Sequence, residues 1–94
     1  MLRITKNRNE NGVTTFKLEG KLIGVWVHEL RSCWQQAMQT GAAHTIHLDL
    51  AGVTWVSDEG KALLRAMYRN GVALLAANLL LSAIVAEISA EPAD

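Results

Sequence analysis

His44-Thr45-Ile46-His47-Leu48-Asp49-Leu50 runs directly into Ala51-Gly52-Val53-Thr54-Trp55-Val56 and then Ser57-Asp58-Glu59-Gly60. The first seven residues alternate strictly. Ile46, Leu48 and Leu50 face one way, and Thr45, His47 and Asp49 the other. That is the period of a strand buried on one face. A strand sandwiched on both faces would read as continuous Val, Ile and Leu. The sheet is therefore expected to keep one face partly open. Residues 51–56 read as a loop with hydrophobic plugs. Ser57 then has the chemistry of a helix N-cap, and Asp58 and Glu59 complement the positive end of the helix dipole. Leu63, Leu64 and Met67 supply an apolar stripe, and Asn70-Gly71 ends the helix. Gly60 has no capping role and costs up to about 1 kcal/mol inside a helix. Its backbone must be approached closely, by a neighbouring segment or by a partner.

On the N-terminal side, Leu2-Arg3-Ile4-Thr5-Lys6 and Thr14-Thr15-Phe16-Lys17-Leu18-Glu19 also alternate. Asn11-Gly12 between them is a turn signal, so the pair reads as a hairpin. Residues 20–24 form a glycine-bounded loop. Val27, Leu30, Trp34, Ala37 and Met38 then follow helical spacing, closed by Gly41. On the C-terminal side, residues 72–76 read as a short apolar strand. Asn78 caps a third helix through Ile88, with Leu80, Leu81, Ile84, Val85 and Ile88 spread over a wide apolar arc. Residues 89–94 read as a flexible polar tail. The order is β-β-α-β-α-β-α. Right-handed crossovers make this an α/β fold, a mixed four-stranded sheet with three helices mainly on one face.

Ninety-four residues, half of them hydrophobic and 19% charged, make one domain over residues 1–94 and exclude a disordered linker. Nine basic and nine acidic side chains leave no excess charge for phosphates, which argues against nucleic-acid binding and a polybasic membrane anchor. The single cysteine, Cys33, forms no intramolecular disulfide. The N-terminus lacks the pattern of a signal peptide. The apolar stretch 72–88 is interrupted by Asn78, Ser82 and Glu87, so it falls short of the ~20 residues of a membrane span. A cytoplasmic protein without membrane insertion is the expectation.

Enzyme chemistry finds little support. His44 and His47 point to opposite faces of their strand, and His28 and Cys33 share no helix face, so no metal site and no cofactor are expected. Ser57, His47 and Asp49 can be written down as a triad. Ser57, however, sits outside a G-x-S-x-G elbow, and Asp58 and Glu59 would repel a developing oxyanion. Residues 20–24 miss the spacing of a phosphate loop. No catalytic residue is assigned. Trp34 belongs to a core stripe; Trp26 and Trp55 read as core plugs or as interface anchors.

Taken together, Leu18-Glu19-Gly20-Lys21-Leu22, Leu48-Asp49-Leu50 with Val53-Thr54-Trp55-Val56, Gly60 with Leu63-Leu64, and Gly71-Val72-Ala73-Leu74-Leu75 resemble a STAS domain. That is the family of bacterial anti-anti-sigma factors and sulfate-transporter cytoplasmic domains. The resemblance spans nearly the whole chain and implies a STAS-type fold. It implies a non-enzymatic interaction module in transcription regulation and signal transduction. The implied partner is an anti-sigma factor of the serine-kinase type. The alternative is an accessory subunit docked on the ATPase of an ABC lipid-transport system. In switching members a serine at the start of the second helix is phosphorylated. Here Asp58 matches that position, Ser57 precedes it, Glu59 follows it, and Ile23 stands where an acidic residue often follows G-x-L. The resemblance therefore implies binding without the usual switch. The implied partner surface comprises the 20–24 loop with Ile23, then Trp55, Ser57, Asp58, Glu59 and Gly60, and Lys61, Arg65 and Tyr68 on the second helix. The open sheet face leaves a homodimer surface, a ligand groove and bare solvent as three readings.

Overall fold

The computed structural model describes residues 1–40, 45–76 and 78–90. Seven elements follow in the expected order: β1 (Leu2–Arg8), β2 (Val13–Leu22), α1 (Val25–Thr40), β3 (Thr45–Val56), α2 (Asp58–Arg69), β4 (Ala73–Leu75) and α3 (Leu79–Ala90). The helix-ending role read for Gly41, the strand position of His44 and tail residues 91–94 lie outside the described residues. Residues 89 and 90 are the last of α3 rather than part of a tail.

The sheet order is β1-β2-β3-β4, with β1 antiparallel to β2 and the other two pairings parallel. Both parallel crossovers advance in the same direction across the sheet. Right-handed connections therefore place α1 and α2 on the same face. α3 packs against α2 and β3. Leu2, Phe16, Leu18, Ile46, Leu48 and Leu50 turn to this face and are buried. Arg3, Thr5, Lys17 and Thr45 on the other face are exposed, and Thr15, Glu19, His47 and Asp49 are half-buried. The sheet thus keeps the open face that its alternation implied.

Two segments read as loops are strand. β2 continues through Gly20 to Leu22, and β3 continues through residues 51–56, paired as Glu19↔Gly52, Gly20↔Val53, Lys21↔Trp55 and Leu22↔Val56. The pairing slips between Lys17 and Glu19 and again between Gly20 and Lys21. Each slip inserts one extra residue into β3. The buried positions of β3 accordingly jump from Leu50 to Val53 to Val56, instead of recurring every second residue. Bulges break the period that identifies a strand, so the sequence lost its strand signal there. Gly20 sits at the second slip with φ +112°, and a Cβ there would run into the Met1 carbonyl. Two residues, Ile23 and Gly24, then join β2 to α1.

Helix faces follow the apolar spacing, with exceptions. Val27, Leu30, Trp34 and Ala37 are buried, but Met38 is exposed. In α2 the buried set is Gly60, Leu63, Leu64 and Met67. In α3, Leu81, Ile84 and Ile88 are buried, whereas Leu79 and Leu80 stand in solvent. Trp55 is 56% exposed, so it is not a core plug.

Asn78 caps α3 as its side chain suggested, with Oδ1 accepting from the Leu81 N–H at 2.8 Å. Its Nδ2 also donates to the carbonyls of Ala51 and Val53, each at 3.1 Å. One side chain thus ties α3 to the first bulge of β3. Asn78→Ala removes a cap and leaves carbonyls without a donor. It should cost about 2 kcal/mol, read as a lower urea midpoint at unchanged slope. A loss under about 0.5 kcal/mol would show that water replaces the amide.

Candidate functional site

The C-terminal ends of β2 and β3 bring Leu22 and Val56 side by side, and α2 starts directly beyond them. Ser57 turns the chain. Its N–H donates to the Leu22 carbonyl at 3.0 Å, and its own carbonyl accepts from the Lys61 N–H at 2.8 Å. Its Oγ accepts from the Gly60 N–H at 3.1 Å, with φ −74° and ψ 170°, an N-cap geometry. The close approach required at Gly60 is made from within the fold. A Cβ there would lie 2.9 Å from the Leu22 carbonyl oxygen and 2.9 Å from Val56 Cγ1. The glycine lets α2 rest on the ends of two strands.

This junction forms one wall of a groove of about 460 Å³ lined by Trp55, Val56, Ser57, Asp58 and Lys61, with Leu80 and Ile84 of α3 opposite. Of the residues expected at a partner surface, Trp55, Ser57, Asp58 and Lys61 meet in this groove. Glu59 and Arg65 lie on α2 outside it, Gly60 is buried beneath it, and Ile23 is half-buried at the β2–α1 turn. Tyr68 is exposed farther along α2. Leu80 and Ile84 escaped the sequence reading as groove residues. Their one signal was an apolar arc on the third helix wider than a single buried face needs.

Electrostatically the groove has an acidic mouth. Asp58 and Glu59 are exposed in the first turn of α2, and half-buried Lys61 stands one turn behind Ser57. Asp58 carries a permanent charge of about −1, while a phosphate would carry about −1.5 to −2. Among the described residues of the lining the one hydroxyl, Ser57 Oγ, is held as a cap.

The Ser57, His47 and Asp49 triad does not assemble. His47 sits ten residues before Ser57 along β3. At about 3.3 Å per residue their backbones lie on the order of 30 Å apart. Asp49 Oδ1 instead accepts from the Ala51 N–H at 3.0 Å. Among the described residues no group of three or more His, Cys, Asp or Glu side chains could hold a metal ion, and no helix is long and apolar enough to cross a membrane.

Cys33 lies on α1, away from this groove. Burial raises its thiol pKa first, the nearby Glu29 carboxylate raises it further, and Lys6 offsets part of this. Alkylation by iodoacetamide near pH 8 should therefore be slower in the folded protein than in urea. A raised thiol pKa also means that its stabilising contribution is present below the unfolded pKa. That contribution is lost as pH rises through the folded one. Equal alkylation rates in the two states would contradict the burial.

No family model matches the chain, and no curated protein matches it. Solved structures do. An anti-sigma factor antagonist from Mycobacterium paratuberculosis superimposes with a TM-score of 0.80 at 15% identity, over 95% of this chain and 79% of that one. The anti-sigma factor antagonist SpoIIAA in its unphosphorylated form gives 0.64 at 14% identity, over 95% and 100%. This chain has the fold of the anti-sigma factor antagonists. An uncharacterized protein of the DUF3478 family from Shewanella loihica PV-4, with a SpoIIAA-like fold, gives 0.60 at 18% identity, over 92% and 76%. At such identities the likeness is one of fold, the STAS-like arrangement that the motifs implied.

Proposed function

We propose that this chain is a non-enzymatic protein-interaction module of the anti-sigma factor antagonist kind, whose partner is an anti-sigma factor of the serine-kinase type. The observation that carries the reading is the start of α2. Asp58 is an exposed carboxylate in the first turn of α2, beside the exposed Trp55, on a fold shared with anti-sigma factor antagonists, and the sequence resemblance matches it to the family's phosphoacceptor. The partner surface runs from Trp55 through Glu59 and along Lys61 and Arg65, with Ile23 at its margin. It sets two acidic side chains, Asp58 and Glu59, before two basic ones, Lys61 and Arg65, beside the exposed Trp55, a mixture that suits a standard-size interface.

Binding here does not depend on phosphorylation. Asp58 has no hydroxyl, and Ser57 Oγ is engaged with the Gly60 N–H. The complex should therefore persist when the partner is supplied with ATP and Mg²⁺. Intact-mass spectrometry after that incubation should show no phosphate adduct on this chain. A phosphate on Ser57 together with release of the partner would overturn the constitutive reading. A stable complex with a transporter ATPase, indifferent to ATP, would make the chain an accessory subunit of that assembly instead.

A further inference from the structure

A second cavity, of about 260 Å³, opens between α1 and the hairpin, and it shares no residue with the groove at α2. It exists because α1 packs over β2, leaving the core-facing side of the edge strand β1 only partly covered. Trp26, Glu29, Cys33 and Gln36 recur at spacings of three, four and three, so they form one stripe of α1. That stripe runs beside the buried one and lines the cavity together with Leu2, Ile4 and Lys6 of β1. Phe16, opposite Lys6 in the hairpin register, closes the floor.

The chemistry of the lining is divided. Leu2, Ile4, Phe16 and Trp26 give an apolar floor, of which Leu2 and Phe16 are buried and Ile4 and Trp26 half-buried. Lys6 and Glu29 bring opposite charges to the same lining as Cys33, whose thiol pKa Glu29 raises and Lys6 lowers. A fatty or aromatic anion would suit Lys6 but meet Glu29. An amine would suit Glu29 but meet Lys6. A neutral hydrocarbon would use neither. From this we infer that the cavity is a binding site for a small zwitterion with an apolar tail, the chemistry of a free α-amino acid with a large hydrocarbon side chain. The carboxylate pairs with Lys6, the ammonium with Glu29, and the side chain rests on Ile4, Phe16 and Trp26. The volume admits a ligand of about a dozen heavy atoms and no larger cofactor.

L-phenylalanine is the probe, with 3-phenylpropanoate and 2-phenylethylamine as its two singly charged halves. Amide and indole chemical shifts are followed in ¹H–¹⁵N spectra of the full chain. Phenylalanine should saturate shifts at Ile4, Cys33 and the Trp26 indole with a Kd on the order of 1 mM. It should also slow maleimide labelling of Cys33. Each half should bind about two- to fivefold more weakly. Lys6→Glu and Glu29→Lys change exposed side chains and leave the core intact. Lys6→Glu should weaken phenylalanine and strengthen 2-phenylethylamine, and Glu29→Lys should do the reverse for 3-phenylpropanoate. No saturable shift at the cavity, equal binding of all three probes, or unchanged affinities in both charge swaps would each overturn the assignment.

Discussion

Gly60→Val is expected to cost about 3 kcal/mol, lowering the melting temperature of a chain this size by about 10–20 °C. A Cβ at this position would press on the Leu22 carbonyl and on Val56 Cγ1, both at 2.9 Å. Neither can yield cheaply. The Leu22 carbonyl is held by the Ser57 N–H, and Val56 is a buried strand residue. The γ-branches of valine would push further into the same contact. Relief requires α2 to lift from the strand ends, which would uncover Leu63 and Leu64. Gly60→Ala should lose less, because alanine's better helix propensity returns up to about 1 kcal/mol. Thermal melting followed by circular dichroism measures both. A shift under about 2 °C for valine would mean that the junction is loosely packed.

Trp55→Ala should show the opposite pattern. The indole is more than half exposed and contributes little to the core, so stability should stay within about 0.5 kcal/mol of wild type. Yet Trp55 lines the groove with Leu80 beside the acidic start of α2. Buried interface tryptophans are frequent hot spots, and losing one costs about 2 kcal/mol or more. Affinity for the kinase-type partner should therefore fall about 30-fold, mostly through faster dissociation. Surface plasmon resonance with purified partner reads this directly. A Trp55→Ala protein that binds normally would move the interface off this groove.

The order of elements was legible because most strands and helices keep their periods. Leu48 and Leu50 alternate with His47 and Asp49, and Leu63, Leu64 and Met67 keep helical spacing. The far half of β3 was not legible, because two bulges place Leu50, Val53 and Val56 three residues apart. The end of β2 keeps its period, with Leu18 and Leu22 both buried, but Gly20 reads as a turn while serving as a strand residue opposite the second slip. At the candidate site, Ser57 and Asp58 declare capping and charge by residue type alone. Gly60 declared that something approaches it closely but not what, since Leu22 lies far away in sequence. Leu80 and Ile84 could not be paired with Trp55, because contacts between α3 and the end of β3 depend on how Asn78 anchors that helix.

The most direct test of the partner surface is affinity capture from native lysate, with wild type beside Asp58→Lys and bound proteins identified by mass spectrometry. Asp58 is exposed, so the substitution reverses the charge at the mouth of the groove without disturbing the core. Wild type should retain a kinase-type anti-sigma factor, and Asp58→Lys, still folded though about 1 kcal/mol less stable because a cation now sits at the positive end of α2, should lose it. Equal recovery of that partner by both proteins would contradict the placement of the interface at the start of α2.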